Sequence, residues 1–235
     1  MFAAEATAGI FDCKVTLDDH PDTEVKTYVR HEPDEPWDDY EPPERPYDIF
    51  NQSDDQLQKL LRENGSATDG ADLINRMVFA HYIAALEAYL ADRLLNAIEE
   101  HEEAVTDLVT QDPALNKEKF TLSEIVSQPD LVKEKVRRYV RDARWHKLDK
   151  ADNLYRTGAK VSLFKILGDK KADLLRAINW RHDCVHRNGY DDEGSRLEVF
   201  TTEYVNEIAT TIRTFVGTVE GNVTFGGRNE LKGEF

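Results

Sequence analysis

The chain has 235 residues, with 30 Lys+Arg against 46 Asp+Glu and a formal net charge of −16. At roughly 100–200 residues per domain, this length reads as one domain with an appendage or as two small ones. A hydrophobic content of 40% is enough for a core and excludes wholesale disorder. No apolar run reaches the ~18 residues of a membrane span, and MFAAEATAGIFDCK lacks a basic region followed by an apolar stretch, so transmembrane and secreted readings are set aside. The two cysteines, Cys13 and Cys184, form no C-x-x-C pair, which points to a reducing, cytoplasmic setting and away from a structural zinc site. The acidic total also weighs against nucleic acid, unless the charge is unevenly placed.

It is unevenly placed. Residues 1–66 carry a net −11, residues 67–130 a net −9, residues 131–187 a net +9 and residues 188–235 a net −5. The basic block is either a solvated helix face or a phosphate-tracking surface on an otherwise acidic protein.

Taken in chain order, FDCKVTL (11–17) alternates and TEVKTYV (23–29) is β-prone, which predicts a small hairpin. HEPDEPWDDYEPPERPYD (31–48) holds five prolines and eight acids and predicts an extended acidic connector. SDDQLQKLLREN (53–64) predicts a short helix capped by Ser53 and stopped by Gly65. Residues 71–105 contain no Gly or Pro, and Ile74, Met77, Val78, His81, Ala84, Ala88 and Leu95 recur at helical spacing, predicting a long, well-buried helix. FTLSEIVS (120–127) reads as a capped helical turn. Residues 130–145 place Val132, Val136, Tyr139 and Ala143 on one face, and Lys133, Arg137, Arg141 and Arg144 on the other. Helices are predicted at about 149–167, at 171–188 and at 197–219, followed by a loosely ordered tail. The expected architecture is all-α: an antiparallel bundle of four to six helices over 67–220, behind an N-terminal extension (1–66) and before a tail (221–235).

The most informative stretch is WRHDCVHRNGYDDEG (180–194), which closes the 171–188 helix, with Gly189 as its left-handed terminator. Arg181, His182, Asp183 and His186 crowd the last turn, and Arg181 and His186 lie about 140° apart around the axis, so they can flank a cleft. One reading is an ordinary exposed helix end. A second is a metal site. His182 and His186 share a face, and His182-Asp183 is the dipeptide of HD-type metal phosphohydrolases, but that chemistry needs further ligands, for which His81, His101 and His146 are the candidates.

A third reading comes from resemblance. RHDCVHRNG at the end of a late helix resembles the signature of the HEPN superfamily of helical ribonucleases: an arginine, a polar residue, three more residues and a histidine, here Arg181, His182 and His186. The continuation Val185, His186, Asn188, Gly189 resembles one branch of that superfamily, and VFAHYIAALEAYL resembles its first core helix, where an embedded polar residue corresponds to Glu87. The resemblance spans roughly residues 67–220. It implies metal-independent RNA cleavage with no cofactor. The ribose 2′-OH is the nucleophile, His186 the general acid or base, and Arg181 the bidentate charge on the phosphate oxygens. His182, Asp183, Asn188 and Glu87 would support the site, with Glu87 in an ion pair with Arg181. Arg137, Arg141, Arg144 and Arg187 would contact RNA from the basic block. It further implies a homodimer that joins two motifs, a toxin or antiviral-defence role, and an antitoxin or regulatory partner. The tyrosine that nucleotidyltransferase-paired members carry two residues after the histidine is here Asn188, so that mode of control is not expected. A catalytically silent HEPN module that dimerises or binds RNA is the alternative, and the metal-dependent phosphohydrolase the third.

Overall fold

The computed structural model describes residues 40–223; the predicted hairpin, half of the connector and most of the tail lie outside them. The described residues are all-α: α1 (Pro46–Asn64), α2 (Leu73–Glu100), α3 (Glu102–Gln111), α4 (Leu122–Ser127), α5 (Leu131–Arg141), α6 (Leu148–Gly158), α7 (Leu163–Leu167), α8 (Lys171–His186) and α9 (Thr202–Asn222). Among them, β-pairing is limited to one antiparallel bridge, Tyr190 with Arg196. No described helix is long and apolar enough to cross a membrane.

The 28-residue α2 is the central element. Its core face, Val78, Phe79, Tyr82, Ile83, Leu86, Tyr89, Leu90 and Leu94, is buried throughout. Helix α1 runs antiparallel to it: Asp54 meets Tyr82, the rings of Tyr47 and Phe50 lie against Tyr89, and Asn96 donates to the Pro43 carbonyl at 2.9 Å. Helix α9 runs parallel, with Tyr204 against Phe79 near one end and Glu220 accepting from Tyr89 near the other. Helix α8 returns antiparallel, tied by Arg76 to the Asn188 carbonyl and by Arg181 to Glu87.

Several expectations need correction. The connector ends earlier than residue 48, because Pro46 stands in the first helical turn, where its missing N–H costs nothing and its fixed φ suits a helix. Helix α1 is therefore 19 residues long, and Phe50, Leu57 and Leu61 pack it into the helical body, which begins before residue 67. The predicted helix 71–105 breaks at His101, whose extended backbone (φ −138°, ψ 111°) separates α2 from α3. The 149–167 helix is two elements. Lys160 adopts φ 58°, and the buried Asp152 caps the restart by accepting from Ser162 Oγ (3.1 Å) and from the Phe164 amide (3.0 Å). Helix α9 runs on through Gly221 to Asn222, with Val223 buried behind it. The turn at 122–127 forms as expected, with a reciprocal capping box between Thr121 and Glu124.

The stripe assigned to α2 also needs correction. Val78 and Leu95 are buried, but Met77 is 56% exposed, and His81, Ala84 and Ala88 face outward as well. Alanine is compatible with either side, so an apolar count cannot tell the core face from a second apolar stripe. At about 100° per residue, Leu73, Met77, Ala80, Ala84, Glu87 and Ala88 align on that outward stripe.

Candidate functional site at the end of helix eight

Helix α8 starts at the expected Lys171 but ends at His186, two residues before the expected 188, because Asn188 already turns left-handed. The amides of Arg187 and Gly189 both donate to the Asp183 carbonyl at 3.0 Å, Asn188 has φ 55° and Gly189 φ 85°. At Gly189 the reason for glycine is explicit: a Cβ there would stand 2.5 Å from Arg76 Nη1, in a backbone conformation that L side chains avoid. Arg76 reaches over from the first turn of α2 and donates to the Asn188 carbonyl (2.7 Å) and the Ala71 carbonyl (3.2 Å), pinning the motif loop to α2. Sequence reasoning missed Arg76, since a single arginine in a helix carries no pattern that marks it.

Arg181 and Glu87 meet. Nη2 of Arg181 lies 2.8 Å from both carboxylate oxygens of Glu87, and the two side chains are only 21% and 18% exposed. Arg181 Nε is buried without a hydrogen-bond partner, and Nη1 makes no hydrogen bond among the described residues, so this cation keeps unused donor capacity. Glu87 needs such a partner because Leu86 and Leu90 beside it are buried.

The two histidines lie outside this pair. His182 and His186 face each other one turn apart, ring centroids 4.7 Å apart, and both are exposed. Asp183 Oδ1 sits 3.7 Å from His182 Nδ1 and accepts from Arg187 at 3.0 Å. Cys184 turns inward, where burial raises its thiol to about 11, so it stays protonated at neutral pH and is a poor nucleophile. Trp180 packs edge-on to Phe200 and Tyr204 and acts as an anchor for α8 against α9.

The structure thus gathers Arg181, His182, Asp183, His186, Arg187, Asn188 and Glu87 at one end of α8. Arg137, Arg141 and Arg144 are elsewhere. Arg137 is bound by Glu99 and Glu41, each at 2.9 Å, and Arg141 pairs with Asp142 at 3.1 Å. Glu99 is twelve residues from Glu87 on α2, about 18 Å along the axis at ~1.5 Å per residue. Arg144 instead lines a cleft of about 600 Å³ between α5 and α6, together with Lys135, Arg138 and Lys150. Exposed apolar side chains stand among the polar ones here: Leu73 is 57% exposed, Met77 56%, Val185 55% and Tyr190 44%. Among the described residues no three His, Cys, Asp or Glu side chains are grouped to hold a metal, so the HD-type reading lacks its ligand set there. The chain matches no family model, no curated protein and no solved structure.

Proposed function

We propose that the chain is a metal-independent endoribonuclease of the HEPN type, with a site composed across a homodimer. The observation that carries this reading is the Glu87–Arg181 ion pair beside two open histidines. In the reaction, the 2′-oxygen attacks the adjacent phosphorus, the bond to the 5′-oxygen of the next nucleotide breaks, and the products are a 2′,3′-cyclic phosphate and a 5′-hydroxyl. His186 takes the 2′-OH proton, or gives one to the leaving 5′-oxygen, and its counterpart in the second copy serves the other transfer. Arg181, steered by Glu87, offers its remaining guanidinium N–H groups to the non-bridging oxygens as negative charge grows on them.

The surface beside the site supports the homodimer. Leu73, Met77 and Ala84 on α2, and Val185 on α8, are exposed apolar side chains, and the small alanines permit close approach of a second helix. A two-fold axis there would bring two copies of Arg181 and His186 to one cleft. Arg187 is the RNA contact nearest the chemistry, with Arg137, Arg141 and Arg144 reaching a longer RNA further out. A toxin or antiviral-defence role with a regulatory partner follows from the resemblance alone. The second reading, a silent dimerising or RNA-binding module, is favoured by one fact: Glu87 already neutralises Arg181.

The test is RNA cleavage by the purified full chain in excess chelator, with light scattering to report the dimer. Cleavage that persists in chelator and is abolished by Arg181→Ala or His186→Ala is the expected result. A folded dimer that cleaves no RNA leaves the silent module, and activity lost to chelator and restored by metal would refute the mechanism.

A further inference from the structure

We infer that His182 and His186 form a two-histidine chelate for a divalent transition metal such as Zn²⁺ or Ni²⁺, and that its occupancy shuts the site off. The inhibitory half rests on the ribonuclease reading, whereas the chelate does not. The spacing of the two rings is compatible with a shared metal. A metal about 2.0–2.1 Å from an imidazole nitrogen stands about 3.2 Å from that ring's centroid, so two ligating rings at tetrahedral or octahedral angles have centroids about 4.5–5.2 Å apart. The two rings here are 4.7 Å apart and tilted by 44°, before any metal is present. A chelate across one helical turn is therefore within reach of the two side chains.

The surroundings suit a ligand role. Asp183 Oδ1 stands 3.7 Å from His182 Nδ1, so a carboxylate lies close to the pair without a hydrogen bond to either ring. Arg187 shares that carboxylate at 3.0 Å, so the nearest cation is already paired. Cys184 stands between the two histidines in sequence but is less exposed than either of them. With only two donors from one chain, water completes the coordination and binding is of moderate strength, in the order expected for imidazole ligands, Ni²⁺ above Co²⁺. Mg²⁺ and Ca²⁺ prefer oxygen and do not compete. Because ligation takes the lone pair that His186 needs for proton transfer, a bound metal and catalysis exclude one another.

The test is calorimetric titration of the full chain with NiCl₂ and with ZnCl₂, alongside His182→Ala, His186→Ala and the double variant. Both positions are exposed, so far-UV circular dichroism of the variants should match the wild type. Saturable binding at one site per chain, weakened at least tenfold by either substitution, is expected, as is Zn²⁺ inhibition of RNA cleavage over the same concentration range with no inhibition by Mg²⁺. Binding that the double variant retains, or no saturable binding, overturns the inference and leaves the ribonuclease reading intact. Histidine-dependent binding by a protein that cleaves no RNA upholds the chelate and removes the ribonuclease reading together with the inhibition.

Discussion

Glu87 is the sharpest point at which to perturb this molecule. Its carboxylate accepts from Arg181 Nη2 at 2.8 Å on each oxygen, and both side chains are about four-fifths buried. A charge-assisted hydrogen bond contributes about 1.5–3 kcal/mol, and a pair with some solvent access belongs at the lower end. Glu87→Gln keeps the shape and one acceptor while removing the charge, so a loss of about 1–2 kcal/mol is expected. At about 2–4 °C per kcal/mol for a chain of this size, Tm falls by about 2–8 °C. Arg181→Met strands the carboxylate and costs a similar amount. The double variant should lose less than the sum of the two, with a coupling of about 1 kcal/mol or more. Urea denaturation followed by far-UV circular dichroism on the four proteins measures this. Losses that add to within ~0.5 kcal/mol would mean the pair contributes nothing as a pair, and the reasoning would fail. Cleavage separates orientation from packing: Glu87→Gln should reduce RNA cleavage about tenfold, equivalent to ~1.4 kcal/mol, while Arg181→Ala abolishes it. A destabilised Glu87→Gln protein that cleaves RNA at the wild-type rate would assign Glu87 a purely structural role.

Two further outcomes follow from the frame that holds the site. Asn75 is fully buried; its Nδ2 donates to the Ser66 and Phe200 carbonyls at 2.7 Å each, and its Oδ1 accepts from the Ser66 amide at 3.1 Å. Asn75→Ala leaves those groups unpaired and should cost about 3 kcal/mol or more in urea unfolding, with a loss under ~1 kcal/mol counting against the network. Burial raises the phenols of Tyr82, Tyr89, Tyr155 and Tyr204, the last to about 12. The native state therefore keeps protons that the unfolded chain gives up near pH 10, so stability is intact below that pH and falls as pH rises toward 12. Tyrosinate absorbance for these residues should rise together with the loss of helical circular dichroism; ionisation near pH 10 with the helices unchanged would contradict it.

Much of the candidate site was legible because it is local. Arg181 to Gly189 is nine consecutive residues, and a helix followed by a left-handed glycine places them without reference to the rest of the chain. The Thr121–Glu124 capping box is local in the same sense. The Glu87 contact was accessible only through the resemblance, because nothing in residues 83–90 says which helix will supply the cation. What could not be read depends on partners distant in sequence. Pro46 looks like a helix breaker until Tyr47 and Phe50 are seen against Tyr89, where packing extends α1 back to its first turn. Asp152 looks like a solvent-facing helix residue until its carboxylate is found capping α7.

The sequence by itself determined the helical class, the start of α8 and the cluster of arginine and histidine in its last turn, since helix periodicity, capping and chirality act over a few residues. The tertiary structure decided which apolar stripe of α2 is core, because alanine buries or exposes at little cost and the neighbouring helices, α1 and α9 among them, cover the other side. It also divided the basic block, which is continuous in sequence. Arg187 stays with the histidines, while Arg137 is bound to Glu99, about 18 Å further along α2 at ~1.5 Å per residue. Net charge is a property of the chain, whereas a charged surface depends on which neighbours each cation meets after folding.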